Sequence, residues 1–184
     1  AFCPSYGLAE ATLAVSIMPP GEGIRIVLVE ESELRGAGTP AQERPRRYRA
    51  IVNCGKPVKG MEVEVRDASG SVLSDRSIGK VYCRGSSVMH SYLRDRESTA
   101  PCLSDDGWLD TGDMGYMSAG YVFIVGRAKD MIIINGRNHW PQDIEWAVEQ
   151  LPGFKSGDIA AFAVTGPSGE ETPAVLVHCR VSDP

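Results

Sequence analysis

The sequence predicts an α+β protein, in which an antiparallel, β-barrel-like subdomain is followed by a small α/β C-terminal lobe. Two patterns lead there. Over the first two-thirds of the chain, short strand-length apolar runs alternate with Gly-rich turns, the signature of antiparallel pairing and not of parallel α/β units. After Lys129-Asp130 the pattern changes to a brief apolar strand, a tight-turn signal and a helical stripe, so the domain boundary falls between residues 1–128 and 129–184. With 184 residues, 42% hydrophobic and 23% charged, the chain can bury one good core or two small ones.

Each element has a local cause. Residues 24–29 are nearly all apolar and β-branched, interrupted by Arg25, which reads as a largely buried strand. Residues 34–45 are rich in Gly, Pro, Ala and polar side chains and read as a long irregular loop. Three strands are expected over 49–54, 61–67 and 78–84, the second half-buried because Val63 and Val65 alternate with Glu62, Glu64 and Arg66. Residues 86–93, with His90 and Tyr92, read as a short irregular or helical piece in which a lone His is a surface or core residue. Residues 114–125 form a hairpin turned at Ser118-Ala119-Gly120. Met131 opens a strand that ends at Asn135-Gly136. Pro141 then begins a helix with Asp143 and Glu145 at its positive end. Its apolar stripe is Ile144, Ala147, Val148 and Leu151, and Pro152-Gly153 stops it. Strands over 159–165 and 174–180 flank the turn Gly166-Pro167-Ser168-Gly169.

Bulk properties narrow the function. No apolar run approaches the roughly 18 residues of a membrane span, and the N-terminus lacks a signal-peptide layout, so a cytoplasmic protein is expected. Five widely spaced cysteines with no Cys-x-x-Cys pair argue for reduced, structural thiols. A net charge of −5 argues against a general nucleic-acid binder.

The chemistry concentrates in three segments. Gly107-Trp108-Leu109-Asp110-Thr111-Gly112-Asp113 bends the backbone where Gly tolerates φ > 0 and aims a short carboxylate, Asp113, able to accept two hydrogen bonds as a ribose diol requires. Gly126-Arg127-Ala128-Lys129-Asp130 supplies a guanidinium suited to a sugar or phosphate edge. The third is Asn135-Gly136-Arg137-Asn138-His139-Trp140-Pro141-Gln142-Asp143-Ile144-Glu145. Taken singly, Asp113 also fits a turn cap and Arg127 a partner of Asp130. Near the start, Tyr6-Gly7-Leu8-Ala9-Glu10 pairs an aromatic face with a carboxylate. Alone, these read as a core residue and a solvated acid.

In this order the segments resemble the adenylate-forming, acyl-activating enzymes, and Asn-His-Trp-Pro-Gln-Asp-Ile-Glu resembles the fatty acyl-AMP ligases within them. The resemblance runs from about Ser5 onward and covers only part of a family member, from the end of the large domain into the small C-terminal one. It implies ATP and Mg²⁺ as cofactors, with Glu10 orienting the metal and Tyr6, Gly7 and Ile124 about the adenine. It also implies that Asp113 and Arg127 hold the ribose and that Lys129 is the hinge. A fatty acid would be activated to acyl-AMP with release of pyrophosphate, then passed to an acyl carrier protein. Ala9 departs from the family's usual Thr and removes a hydroxyl. Residues 34–45 stand where these ligases carry an insertion, and the basic run at Arg44, Arg46, Arg47 and Arg49 has the charge to dock an acidic carrier. No phosphate loop with its Lys is found and the family's catalytic Lys is not reached, so this segment alone is expected to be inactive. A CoA-forming acyl ligase and a non-catalytic docking module remain the alternatives.

Overall fold

A four-stranded antiparallel sheet in the order β6-β7-β8-β9 carries the first part of the molecule. Its strands are β6 (Met61–Arg66), β7 (Gly79–Gly85), β8 (Leu109–Ser118) and β9 (Tyr121–Arg127). The computed structural model describes residues 2–30, 48–134, 137–155, 157–167 and 171–178. It divides into two units, Ala1–Ala128 and Lys129–Pro184. The expected loop over 34–45, most of the basic run around Arg46, the Asn135-Gly136 turn, Ser168-Gly169 and Cys179 lie outside the described residues.

β8 and β9 are joined by the predicted hairpin, with Ala119 at φ 49° and Gly120 at φ 78°. Two successive positive φ values match the right-handed twist of the flanking strands. The Thr-Gly-Asp segment is not a corner, as the sequence suggested, but a bulge within β8. Lys80 pairs with Met114 and Tyr82 with Asp110, so Thr111, Gly112 and Asp113 lie opposite Val81 alone. Gly112, at φ 73°, absorbs the extra length without breaking the strand.

A second sheet, β1-β2-β5, is formed by β1 (Ser5–Gly7), β2 (Ala14–Ile17) and β5 (Lys56–Pro57). The core lies between it and the first sheet, where Ala11 and Val15 meet Met61, Cys83, Val88 and Leu109. Burial pushes the Cys83 thiol up to about 11, which keeps it protonated and inert. Tyr116 and Phe123 stack at 4.6 Å on the β8-β9 hairpin. The sheets stay open, and among the described residues none closes into a barrel.

β3 (Ile26–Glu30) and β4 (Tyr48–Val52) form a separate two-stranded ribbon. The prediction of a largely buried strand here is corrected: Val29 and Ile51 are buried, whereas Ile26, Leu28, Tyr48 and Val52 are exposed. Only one face of the ribbon is tied inward, through the Arg49 guanidinium donating to Val125 O at 2.8 Å and a bridge from Asn53 to Phe123.

A short helix α1 (Arg96–Thr99) belongs to the first unit, and the second holds the hairpin β10 (Ile132–Ile134) and β11 (Arg137–His139), helix α2 (Pro141–Glu149) and the hairpin β12 (Ile159–Thr165) and β13 (Glu171–Val177). Among its described residues both strand pairings are antiparallel. Pro141 occupies the first turn of α2 as expected, and Glu145 accepts from Ala161 N at 2.9 Å, fastening the helix to β12. The expected apolar stripe is narrower: Ile144 and Val148 are half-buried, but Ala147 and Leu151 are exposed. No helix among the described residues is long and apolar enough to cross a membrane.

Gly55, at φ 86°, lies where a Cβ would overlap the backbone of Ile17 and Met18. Its own carbonyl accepts from Val122 N at 2.8 Å, so this turn joins β2 to β9. Gly55→Ala is expected to cost about 3 kcal/mol or more, read as a lower urea midpoint with little change in slope.

Candidate functional site

Asp113 and Arg127 are direct cross-strand partners in the β8-β9 pair. That register puts the carboxylate and guanidinium side by side, with Arg127 Nε donating to Asp113 Oδ1 at 3.2 Å. Asp113 is buried while Arg127 is half-exposed, so the pair sits at the protein surface with its acid facing inward. From β1, Tyr6 Oη donates to the other oxygen, Asp113 Oδ2, at 2.6 Å across 107 residues of chain. Burial first, and this bond to a carboxylate second, push the Tyr6 phenol far above its ordinary range. It is a donor at every physiological pH. The backbone is held as well: Asp113 N donates to Thr111 Oγ1 at 3.2 Å, and that buried hydroxyl donates to Val81 O at 2.8 Å.

Gly7 is required by packing. A Cβ there would overlap the Leu13 carbonyl, where β1 bulges against β2. The 3-10 turn Ala9–Ala11 that follows carries Glu10, whose carbonyl accepts from Met89 N at 2.7 Å. Glu10 Oε1 accepts from Tyr92 Oη at 2.7 Å. That hydrogen bond, then the turn's own N–H and the charge of Arg127, hold the Glu10 carboxyl below its usual range. Tyr92 in turn is pushed up to about 12, chiefly by the same bond.

Tyr6, Asp113 and Arg127 therefore form one bonded group, while Glu10 bonds Tyr92 and feels the charge of Arg127. Ile124 is half-buried opposite Gly115, beyond a register shift that separates it from Asp113. Lys129 is exposed in the 3-10 turn Ala128–Asp130, at the first position of the second unit. Arg127 bonds Asp113, which answers the simpler expectation that it pairs with Asp130. A cleft of about 520 Å³ lies elsewhere in the first unit, lined by Arg84, His90, Arg96 and Leu103 among others, and contains none of these residues.

Two contributors were not visible in the sequence. Tyr92 is separated from Glu10 by 82 residues, and the Thr111 hydroxyl acts only because the bulge folds it back. Asp110, in the same motif as Asp113, is used otherwise: it accepts from Lys80 Nζ at 2.9 Å and Tyr82 Oη at 3.2 Å.

The site has the acceptors and donors for a polyhydroxylated, anionic ligand. For a magnesium ion it offers the Glu10 carboxylate, a hard oxygen donor that Tyr92 already orients. No cluster of three His, Cys, Asp or Glu side chains suited to a metal occurs among the described residues. A cation at Glu10 would take its remaining ligands from phosphate and water, which suits Mg²⁺.

Because the folded-state Glu10 carboxyl is depressed, its contribution to stability is present above the unfolded value and fades as pH falls through the folded one. Tyr92→Phe is therefore expected to destabilise the protein near about pH 7, with the deficit narrowing toward about pH 3 in urea titrations. A deficit independent of pH would assign the loss to packing.

No protein-family model matches the chain. A protein of Caulobacter vibrioides, provisionally named an acyl-CoA synthetase, is 45% identical over all of this chain and 32% of its own length. The medium-chain-fatty-acid–[acyl-carrier-protein] ligase JamA of Moorena producens is 37% identical over 89% of this chain and 30% of its own length. A solved structure from work on the fatty acyl-adenylate ligases of E. coli and L. pneumophila superposes with a TM-score of 0.83. It is 41% identical and is matched over 99% of this chain and 32% of its own length. The chain thus spans about a third of the length of these relatives. Over that third, it is similar to adenylate-forming enzymes, fatty acyl-adenylate ligases among them.

Proposed function

We propose that this chain supplies the ribose-gripping part of an ATP-dependent ligase that converts a fatty acid to acyl-AMP, releases pyrophosphate and passes the acyl group to an acyl carrier protein. The observation that carries this reading is the Tyr6–Asp113–Arg127 constellation, in which side chains from β1 and β9 converge on one carboxylate of β8. Asp113 would accept the ribose hydroxyls, and the exposed Arg127 would reach the sugar or α-phosphate edge. The Tyr6 ring and Ile124 would flank the adenine, with Gly7 keeping the backbone close. Glu10 would hold Mg²⁺, which when bound draws charge from the phosphates. The residues' task is positioning: carboxylate and α-phosphate must meet in line while fixed donors absorb developing charge. Residues 1–128 would be the end of the large domain and 129–184 the start of the small one, with Lys129 as hinge. JamA's carrier-protein activity supports the choice of acceptor.

A second reading, a CoA-forming acyl ligase, is favoured by the name of the Caulobacter relative. Incubating the full-length gene product with fatty acid, ATP and either CoA or a phosphopantetheinylated carrier decides between them by the thioester formed.

Charge-assisted hydrogen bonds are worth about 1.5–3 kcal/mol each. Asp113→Ala is thus expected to lower kcat/KM for ATP by at least about one to two powers of ten in fatty-acid-dependent ATP–pyrophosphate exchange. Unchanged ATP dependence would remove Asp113 from the site.

A further inference from the structure

We infer that the Tyr6 hydroxyl is a positioning group for Asp113, holding its carboxylate in the orientation in which it would meet the ribose hydroxyls. This rests on the nucleotide reading above and adds to it a role for the phenol distinct from that of the ring. Asp113 has two oxygens with about two acceptor positions each. The protein uses one position on each oxygen, Tyr6 Oη on Oδ2 at 2.6 Å and Arg127 Nε on Oδ1 at 3.2 Å. Among the described residues, what remains is one acceptor on each of two adjacent oxygens of a carboxylate that cannot rotate freely. That is the complement of a vicinal diol. A deoxy sugar would leave one of them unpaired in a buried setting, the situation in which a missing hydroxyl is rejected most strongly.

The two contacts differ in kind. Arg127 is half-exposed and is itself available to ligand, whereas the Tyr6 phenol is a neutral donor packed against the core beside Ala11, Val15 and Cys83. Tyr6 therefore sets the carboxylate plane, and Arg127 neutralises it. Removing only the hydroxyl frees Oδ2 to turn and adds a buried acceptor without a partner. The ring that would face adenine stays.

The test is ATP–pyrophosphate exchange by the full-length gene product with ATP, 2′-deoxy-ATP, 3′-deoxy-ATP and GTP. The wild type is expected to prefer ATP over each deoxy analogue. In Tyr6→Phe that preference should shrink about tenfold in kcat/KM, through loss on ATP and not gain on the analogues, while the ATP-to-GTP ratio holds. Tyr82→Phe, which removes the comparable phenol–carboxylate bond to Asp110, should leave every ratio unchanged. If Tyr6→Phe does not fold, 4-aminophenylalanine and 4-methylphenylalanine at position 6 compare a donor with a non-donor of similar size, and only the former should keep the preference. An unchanged ribose preference in Tyr6→Phe, with Asp113→Asn abolishing it, overturns the role of Tyr6 alone. A wild type indifferent to the sugar hydroxyls, with Asp113→Asn also silent, overturns the nucleotide reading and this inference together.

Discussion

The first unit is arranged so that one buried carboxylate, that of Asp113, is held in a fixed orientation. An acid out of water is costly unless donors surround it. Here the donors are a phenol from β1 and a guanidinium from β9, while the backbone N–H is returned to Thr111. Each requires a different part of the fold. The phenol needs the β1-β2 sheet packed on the core, the guanidinium needs the β8-β9 register, and the threonine needs the bulge opposite Val81.

The bulge explains how two aspartates three residues apart do unrelated work. Without it, strand alternation would put Asp110 and Asp113 on opposite faces by parity alone, but with an ordinary ladder at both. With it, Asp110 remains on the outer face among Lys80, Tyr82 and the Arg66 and Arg84 guanidiniums stacked over Trp108. Asp113 leaves the β7-β8 ladder, keeps its pairing with Arg127 on β9 and bonds Tyr6. The outer face is a solvated mesh of charges that shields Trp108, and the inner one presents a single acid with defined partners.

Tyr6–Asp113 and Tyr92–Glu10 repeat one device: a phenol from a distant segment fixes one oxygen of a carboxylate. Such bonds are made in the protein before anything binds. They reduce the ordering that binding must otherwise impose, which is the physical content of preorganisation. Tyr92 is itself held by its N–H on the Thr99 hydroxyl, next to the short helix capped by Asp95, so local order reaches Glu10 from outside the strands.

Much of this was legible in the chain. Strand alternation at Val63 and Val65, the Ser118-Ala119-Gly120 turn and Pro141 at a helix start report local preferences that no distant contact reverses. The candidate acid and its guanidinium were also readable, because a hairpin pairs residues at predictable separations and Asp113 and Arg127 lie 14 apart. Other features depended on distance. Apolar periodicity cannot say which neighbour covers a strand, so the outward faces of β3 and β4 and of Ala147 and Leu151 on α2 appeared only with the fold. The meetings of Tyr6 with Asp113 and of Tyr92 with Glu10 span 107 and 82 residues. Composition and spacing carry no term for such pairs, and packing of one sheet on the other decides them.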